Sequence, residues 1–384
     1  MESICNSNVC TGCGLCVSVC PKSAITLVEK DTTGHFFPKI DEKLCVDCVL
    51  CQKKCPSNQK NEFTEPQKTY VAWRKEAHRQ KGSSSGGVAA ALYEMAIEKG
   101  WYIVGTEQTE KLVPVLKVTN HAEDIEKFKG SKYVQANSQL VYKEVKSIVK
   151  EGNTVLFIGT PCQCQAVKSI VDDQDRLYTV ELICHGVPSQ KLLKEYLSWI
   201  EKRKNKRITE LAFRSPYGVE LTLKSDAGTF WKRKLPEDFY LTAFNEGLIL
   251  NEACYQCKYA RPERSSDLTI GDFWEIGKYG PFSGPGRKVS VIAVNSLKGS
   301  ELLSACDTLV CQEREYKEAV EGNPQLQAPK KKHALYEAFW SNYTQSGIES
   351  AIKATIYKSV QKRFVHRKMK QFPKDIMKKI LRRA

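Results

Sequence analysis

Two cysteine runs share one spacing. Cys10-x2-Cys13-x2-Cys16-x3-Cys20-Pro21 recurs as Cys45-x2-Cys48-x2-Cys51-x3-Cys55-Pro56. Thiolates are soft ligands that suit iron–sulfur clusters. Two-residue gaps let three sulfurs wrap one four-iron cubane, and the fourth sulfur of each such run reaches the other cluster. The spacing therefore predicts one [4Fe–4S] cluster on Cys10, Cys13, Cys16 and Cys55. A second would sit on Cys45, Cys48, Cys51 and Cys20. The competing reading is a pair of zinc knuckles, which the duplicated run with both prolines disfavours. Such clusters carry single electrons, so the chemistry implied is redox.

Four more cysteines stand where a third site needs them. Cys162 and Cys184 each end a short apolar run, TVLFIGTPC and LYTVELIC. Ligands of α/β sheets gather beyond the carboxyl ends of strands. Cys254 and Cys257 form a CxxC. Together they could make a third four-sulfur site, iron or zinc. A serine- and glycine-rich stretch, Ser83, Ser84, Ser85, Gly86 and Gly87, precedes a run with helical spacing. Free N–H groups at such a loop favour phosphate; a plain flexible loop is the alternative.

The elements that must position these groups are legible. AITLVEK and HFFPKI read as a β-hairpin over residues 24–40, with Gly34 at the bend. Residues 57–68 are polar with a proline and read as a linker. Alternating strands and helices follow, which predicts an α/β body with a largely parallel sheet. ELTLKS, within 208–235, reads as part of a hairpin on that body.

The chain has 384 residues and sixteen cysteines. No run of 18 apolar residues predicts a membrane span, and MESICNSNVC carries no signal-peptide pattern. So many thiols without a secretory signal argue for metal ligation in the cytoplasm. The formal charge is +15. Residues 351–384 hold 12 Lys or Arg and one acid, Asp375. Ile352, Ile356, Val360 and Phe364 recur there every fourth residue, as do Ile376 and Ile380 beyond Pro373. This reads as basic amphipathic helix. It either packs on the body or meets an anionic membrane surface or acidic partner. Nucleic acid is not expected, since aromatic and glycine interleaving is absent.

GSSSGGV, GSKYVQ, IGTPCQ, LICHG, CxxCKYA, RSSDLTIGDFW and KVSVIAV occur in that order. In this series the chain resembles the family of coenzyme F(420) hydrogenase/dehydrogenase beta subunits, in its bacterial members with a fused ferredoxin domain. The resemblance runs from the first cysteine run to about residue 310. It implies a flavin-binding α/β body with its own [4Fe–4S] cluster on Cys162, Cys184, Cys254 and Cys257. It makes the phosphate-type loop an FAD site, and leaves Cys164, Cys306 and Cys311 as structural thiols. Lys132 in GSKYVQ would place a positive charge near the flavin, and Arg264 would also bind cofactor. His185, Asp267 and Asp272 are the candidate catalytic groups. FRSPYG (213–218) departs from the more charged stretch usual in relatives, so the deazaflavin coenzyme is not carried over.

The expected fold is an α+β ferredoxin-like two-cluster domain (1–60), a linker (61–68) and an α/β flavin-binding body. The body divides into 69–180 and 181–345, and a helical basic tail (346–384) follows. The expected function is an iron–sulfur flavoprotein oxidoreductase. Electrons would pass from the ferredoxin clusters through the third cluster to FAD, then to a small-molecule substrate or redox coenzyme, with a protein electron donor or acceptor as partner. The alternatives are an electron-transfer subunit of a larger complex and a zinc-rich binding protein.

Overall fold

The computed structural model describes residues 1–367 and 369, apart from 2, 139, 217 and 287. The helix expected around Ile376 and Ile380 lies outside the described residues. The chain forms two compact units interleaved along the sequence. One combines Met1–Gln190 with Leu250–Lys331; the other takes Lys191–Ile249 and the chain from Lys332 onward. This departs from the linear division expected above: residues 1–60 pack into the same unit as the body, and 191–249 leave it.

In the first unit the strands β1 (Ile25–Glu29) and β2 (Phe36–Ile40) pair antiparallel, as the hairpin pattern required. Two short helices, Leu15–Val19 and Leu50–Lys54, each follow two closely spaced cysteines and carry the third, Cys16 and Cys51, at their second position. The residue before each helix is left-handed, Gly14 at φ 82° and Val49 at φ 52°. Two residues earlier, Gly12 and Asp47 are left-handed as well. The repeats thus share a backbone but not its glycines. Gly12 has a further reason. A Cβ there would lie 2.4 Å from the Phe36 carbonyl oxygen and 2.5 Å from Gln135 Nε2. The first repeat is pressed against the body at this point.

The body strands are β3 (Lys68–Arg74), β4 (Tyr102–Gln108), β5 (Pro114–Thr119), β6 (Val155–Gly159) and β7 (Leu177–Leu182). After the excursion into the second unit, through β8 (Glu210–Ser215), β9 (Gly218–Ser225) and β10 (Gly228–Lys234), come β11 (Leu268–Asp272), β12 (Ser290–Val294) and β13 (Leu309–Glu313). The eight-stranded order is β13-β3-β12-β11-β7-β6-β4-β5. Strands β4, β6, β7 and β11 run parallel; β5 and the β12–β3–β13 flank are antiparallel. The largely parallel sheet expected is therefore corrected to a mixed one. Alternating strands and helices suggest crossover topology throughout, but β4 and β5 are joined by a short turn, which can only pair antiparallel.

Alternation along the central strands splits the core into two layers. Ile103, Leu156 and Ile158 face the helix Val88–Glu98. Val104, Val155 and Phe157 face the helices Val141–Lys150 and Pro161–Ile170. Leu15 of the cysteine-rich segment is buried in this second layer, at 1% exposure. Burying one such side chain is worth roughly 1.5–3 kcal/mol, so the segment is anchored to the body by apolar contact.

In the second unit β8, β9 and β10 form a three-stranded meander, which replaces the hairpin expected on the body. Ile352, Ile356 and Val360 are buried, and Tyr357 stacks on Phe239 with ring centroids 5.6 Å apart. The described part of the amphipathic stripe is thus used for packing within its own unit. This unit carries 25 Lys and Arg against 11 Asp and Glu, whereas the first unit carries 34 against 33. The basicity assigned to the tail extends to the whole second unit. Among the described residues no helix is long and apolar enough to cross a membrane.

Candidate metal centres

Two hollows open in the cysteine-rich segment. One, of about 340 Å³, is lined by Cys10, Cys13, Cys16 and Cys55. The other, of about 330 Å³, is lined by Cys20, Cys45, Cys48 and Cys51. The fourth cysteine of each run crosses to the other hollow, as the spacing required. The prolines supply the reason. A residue before proline is driven out of the helical region. Cys20 and Cys55 accordingly end their helices with ψ 113° and 119°. Burial, with Cys10 and Cys55 adding charge, pushes the Cys16 thiol up to about 12. Four crowded thiols ionise readily only around a metal centre that compensates their charge. The donor sets fit four-iron clusters. Cys5 is buried and lines the first hollow with Cys10 and Cys55. Sequence reasoning assigned it nothing.

The third set comes together at one end of the sheet. β6 and β7 are adjacent and parallel, with Gly159 opposite Glu181, so their carboxyl ends are level. Cys162 sits in the first turn of the helix after β6, where the sequence reads as a turn closing the strand. Cys184 follows β7 by two residues. Cys254 lies in the turn Glu252–Gln256 and Cys257 ends it. Asn251 N donates to the Val187 carbonyl at 2.9 Å, fastening that turn beside Cys184. Gly186, at φ 101°, leaves room for Cys254, whose Cβ would lie 3.2 Å from an added Cβ. Burial first, then the charges of Cys162 and Cys257, raise the Cys184 thiol to about 12. Burial and Cys162 raise Cys257 to about 11. Cys254 is raised by burial, then by Cys184, Cys257 and Cys162. The four cysteines thus lie on neighbouring segments at one end of the sheet.

The first and third sets are neighbours. Cys13 packs against the core layer of the helix Pro161–Ile170, which carries Cys162. Polar contacts hold this junction. Gln135 accepts from Phe36 N at 2.9 Å and donates to the Thr11 carbonyl at 3.0 Å. Ser138 Oγ donates to the Cys13 carbonyl at 2.6 Å. His35 Nε2 donates to the Val187 carbonyl at 3.0 Å, and burial lowers its pKa to about 4, so the ring is neutral. None of Gln135, Ser138 or His35 stands out in the sequence, because a polar residue serving a distant loop has no local signature.

Arg264 is buried against Glu181, Nε to Oε1 2.5 Å. Its Nη1 donates to both the Tyr259 and Arg261 carbonyls, at 2.9 and 2.8 Å. Glu181 also accepts from Ser265, Ser266 and Thr269. Through these contacts Arg264 holds the loop that carries Cys257. Glu181 was missed, although an acid inside the apolar run LYTVELIC was a signal. Asp267 accepts from Thr179 N, Thr179 Oγ1 and Ser296 Oγ. It ties β7 and β11 to the helix Leu297–Ser304. His185 and Asp272 are half-buried at the carboxyl ends of β7 and β11.

The serine–glycine loop lies at the same end of the sheet, since β3 runs in the direction of β11. Gly86 N donates to Ser290 Oγ at 2.9 Å, and Ser85 Oγ donates to the Val289 carbonyl at 2.7 Å. Ser290 is the register partner of Asp272. A Cβ on Gly86 would lie 2.2 Å from the Ala72 carbonyl oxygen, so only glycine fits. Ser84 Oγ meets Ser131 Oγ at 2.8 Å, which joins GSSSGGV to GSKYVQ. Lys288 Nζ reaches the Ser84 carbonyl at 3.4 Å. Ser83 Oγ is buried with no hydrogen-bond partner among the described residues, an orphaned group that fits an absent polar ligand. Lys132 points elsewhere than expected. Its Nζ donates to the carbonyls of Lys127, Phe128 and Lys129 at 2.9–3.0 Å, and burial lowers it to about 8. It caps the helix Asp124–Phe128.

Sheet, cysteine sets and junction define an iron–sulfur electron-transfer protein. The model described as "4Fe-4S dicluster domain" matches residues 9–59, which settles iron over zinc for the two runs. Those described as "Coenzyme F420 hydrogenase/dehydrogenase, beta subunit" N-term and C terminus match residues 69–141 and 152–318. The chain belongs to the family of coenzyme F(420) hydrogenase/dehydrogenase beta subunits. It is 25% identical over 208 residues to a subunit of the F(420)H(2) dehydrogenase of Methanosarcina mazei, 50% of this chain and 58% of that one. It is 26% identical over 327 residues to the coenzyme F420-dependent sulfite reductase of Methanocaldococcus jannaschii, 80% of this chain and 47% of that one. The chain thus spans about half the length of these curated relatives. A chain of the F420-reducing [NiFe] hydrogenase complex from Methanosarcina barkeri aligns at TM-score 0.47 and 17% identity, over 77% of this chain and 94% of that one.

Proposed function

We propose that the protein is an iron–sulfur flavoprotein oxidoreductase with three [4Fe–4S] clusters in series leading to FAD. The observation that carries this is the continuity of the cysteine sets. Cys48 of the outer hollow is exposed. The inner hollow is lined by Cys13, which packs against the core layer of the helix that carries Cys162. Electrons would enter at the set of Cys20, Cys45, Cys48 and Cys51, move to that of Cys10, Cys13, Cys16 and Cys55, and then to Cys162, Cys184, Cys254 and Cys257. The reverse direction uses the same path.

FAD, when bound, would join one-electron transfer from clusters to two-electron reduction of a substrate or redox coenzyme. The Ser83–Gly87 loop would hold its phosphates, with the orphaned Ser83 hydroxyl as one donor. Lys288 would neutralise them from the facing strand. Asp272, close through Ser290, and His185, beside Cys184, are the titratable groups at that end of the sheet for proton delivery. The reading as an electron-transfer subunit of a larger complex keeps the same path and moves substrate reduction to a partner. The basic second unit is the surface proposed for anionic contact, whether membrane or acidic partner.

Iron and flavin content per chain after anaerobic purification tests the proposal. The expected result is about 12 irons, at four per cluster, with one FAD. About 8 irons without flavin would overturn both the third cluster and the flavin site.

A further inference from the structure

We propose that Lys258 is a positioning residue: one uncancelled positive charge held between the first and third cysteine sets that raises the reduction potential of both. The inference rests on the third set holding a cluster, as proposed above.

Lys258 follows Cys257 directly. Its Nζ donates to the carbonyl of Pro56, the residue after Cys55, and to that of Gln59 at 3.0 Å. Its backbone is therefore fixed to one cysteine set and its ammonium to the other. The side chain runs alongside the Tyr259 ring, with Nζ 5.7 Å from the centroid. Pro56 lines the first hollow beside Cys55, so the ammonium is held against that set while its backbone continues from Cys257. Arg264, the other cation near Cys257, is paired with buried Glu181. The partners of Lys258 are carbonyl oxygens, so its charge is not cancelled by a carboxylate. Cluster potentials follow local charge and hydrogen bonding. Reduction adds one negative charge to a cluster, and a cation a few ångströms away favours that charge in a low-dielectric surround.

The arrangement has a kinetic consequence. When one electron leaves the first cluster and one enters the third, the cation attends both the donor and the acceptor. It favours the reduced state at either end. The outer hollow of Cys20, Cys45, Cys48 and Cys51 is lined by neither Lys258 nor its hydrogen-bond partners Pro56 and Gln59 and serves as an internal control.

The test is an anaerobic redox titration of the full chain, poised with dithionite and followed by electron paramagnetic resonance. Signals are assigned with Cys48→Ser and Cys162→Ser chains. Lys258→Met removes charge and hydrogen bonds; Lys258→Gln keeps an N–H donor without the charge; Lys258→Arg keeps the charge. The proposal expects the midpoint potentials of the first and third clusters to fall together in the Met and Gln variants. That of the outer cluster stays in place, and the Arg variant stays close to the unsubstituted chain. Unmoved potentials in Lys258→Met, an equal shift of all three, or an Arg variant that behaves like Met would each overturn it. Iron content of the unsubstituted chain separates the two readings. About 8 irons per chain instead of about 12 would sink the third cluster, and with it any shared role. About 12 irons with unmoved potentials would sink Lys258 alone.

Discussion

At the scale of single residues, the groups with the plainest chemistry are supported by residues with none. Cys257 depends on Arg264, which depends on Glu181. Breaking such a buried pair by removing one partner costs about 3–5 kcal/mol, because the remaining charge is left uncompensated. His35 is a second case. Its donated hydrogen bond to Val187 ties the β1–β2 hairpin to the loop after Cys184. Burial holds its pKa at about 4, below the ordinary value near 6.5. Between these values the unfolded chain binds a proton that the folded chain does not. His35 therefore adds no penalty above about pH 6.5, and stability falls as the pH drops from there to about 4. The loss is about 3 kcal/mol at the lower end. Denaturant unfolding at several pH values should show this slope, and His35→Gln should flatten it. An unchanged slope in the variant would mean the ring is accessible to protons.

At the scale of elements, the two cysteine repeats share a backbone and differ in surroundings. Both need left-handed residues inside the ligand loop. The outward repeat meets this with Asp47, whose carboxylate pairs with the N-terminal ammonium at 2.5 Å, and Val49. The inward repeat meets it with Gly12 and Gly14. For Gly12 the reason is contact as well as conformation, since a Cβ has no space between Phe36 and Gln135. Gly12→Ala should cost more than about 1 kcal/mol, the scale for alanine at positive φ. It should also lower iron in the inner set, measured as iron per chain and by its spectroscopic signal. A variant with full iron and unchanged stability would show that the hairpin can retreat from the body. The repeat makes the comparison internal, because Asp47→Ala at the matching position meets no such contact with the body.

At the scale of the whole molecule, charge divides by unit. The second unit holds nearly all of the net +15. Lys202, Arg203, Lys204, Lys206 and Arg207 are consecutive exposed cations apart from Asn205. Near the last described residues Val365 and Met369 are exposed, at 50% and 69%, among further basic residues. A polybasic cluster gains about 1 kcal/mol per Lys or Arg near an anionic bilayer, and salt screens the gain. The full chain should co-sediment with vesicles containing anionic lipid at low salt, stay in solution with neutral vesicles, and be released by high salt. Reversing Lys202, Arg203 and Lys204 to glutamate should weaken the binding several-fold. Equal binding to neutral vesicles, or none to anionic ones, would leave an acidic protein as the partner for this surface.

The sequence by itself determined the two cysteine sets, including the crossing of Cys20 and Cys55. That information is local: spacing fixes which thiols share a loop, and a following proline forbids the helical backbone. It also determined the family, because the motifs keep their order along the chain. It located the helix Val88–Glu98 and most strands, whose periodicity is written in neighbouring residues. Sheet direction was not legible, since apolar runs look alike whichever way the next strand returns. Only the tertiary structure decided that residues 191–249 leave the body, that Arg264 and Asp267 are braces, and that Lys132 caps a helix. Only it brought Lys258 to Pro56 across about two hundred residues of chain. Polar partners far apart in sequence carry no periodic signal; they are chosen when packing places a donor beside an acceptor that water can no longer reach.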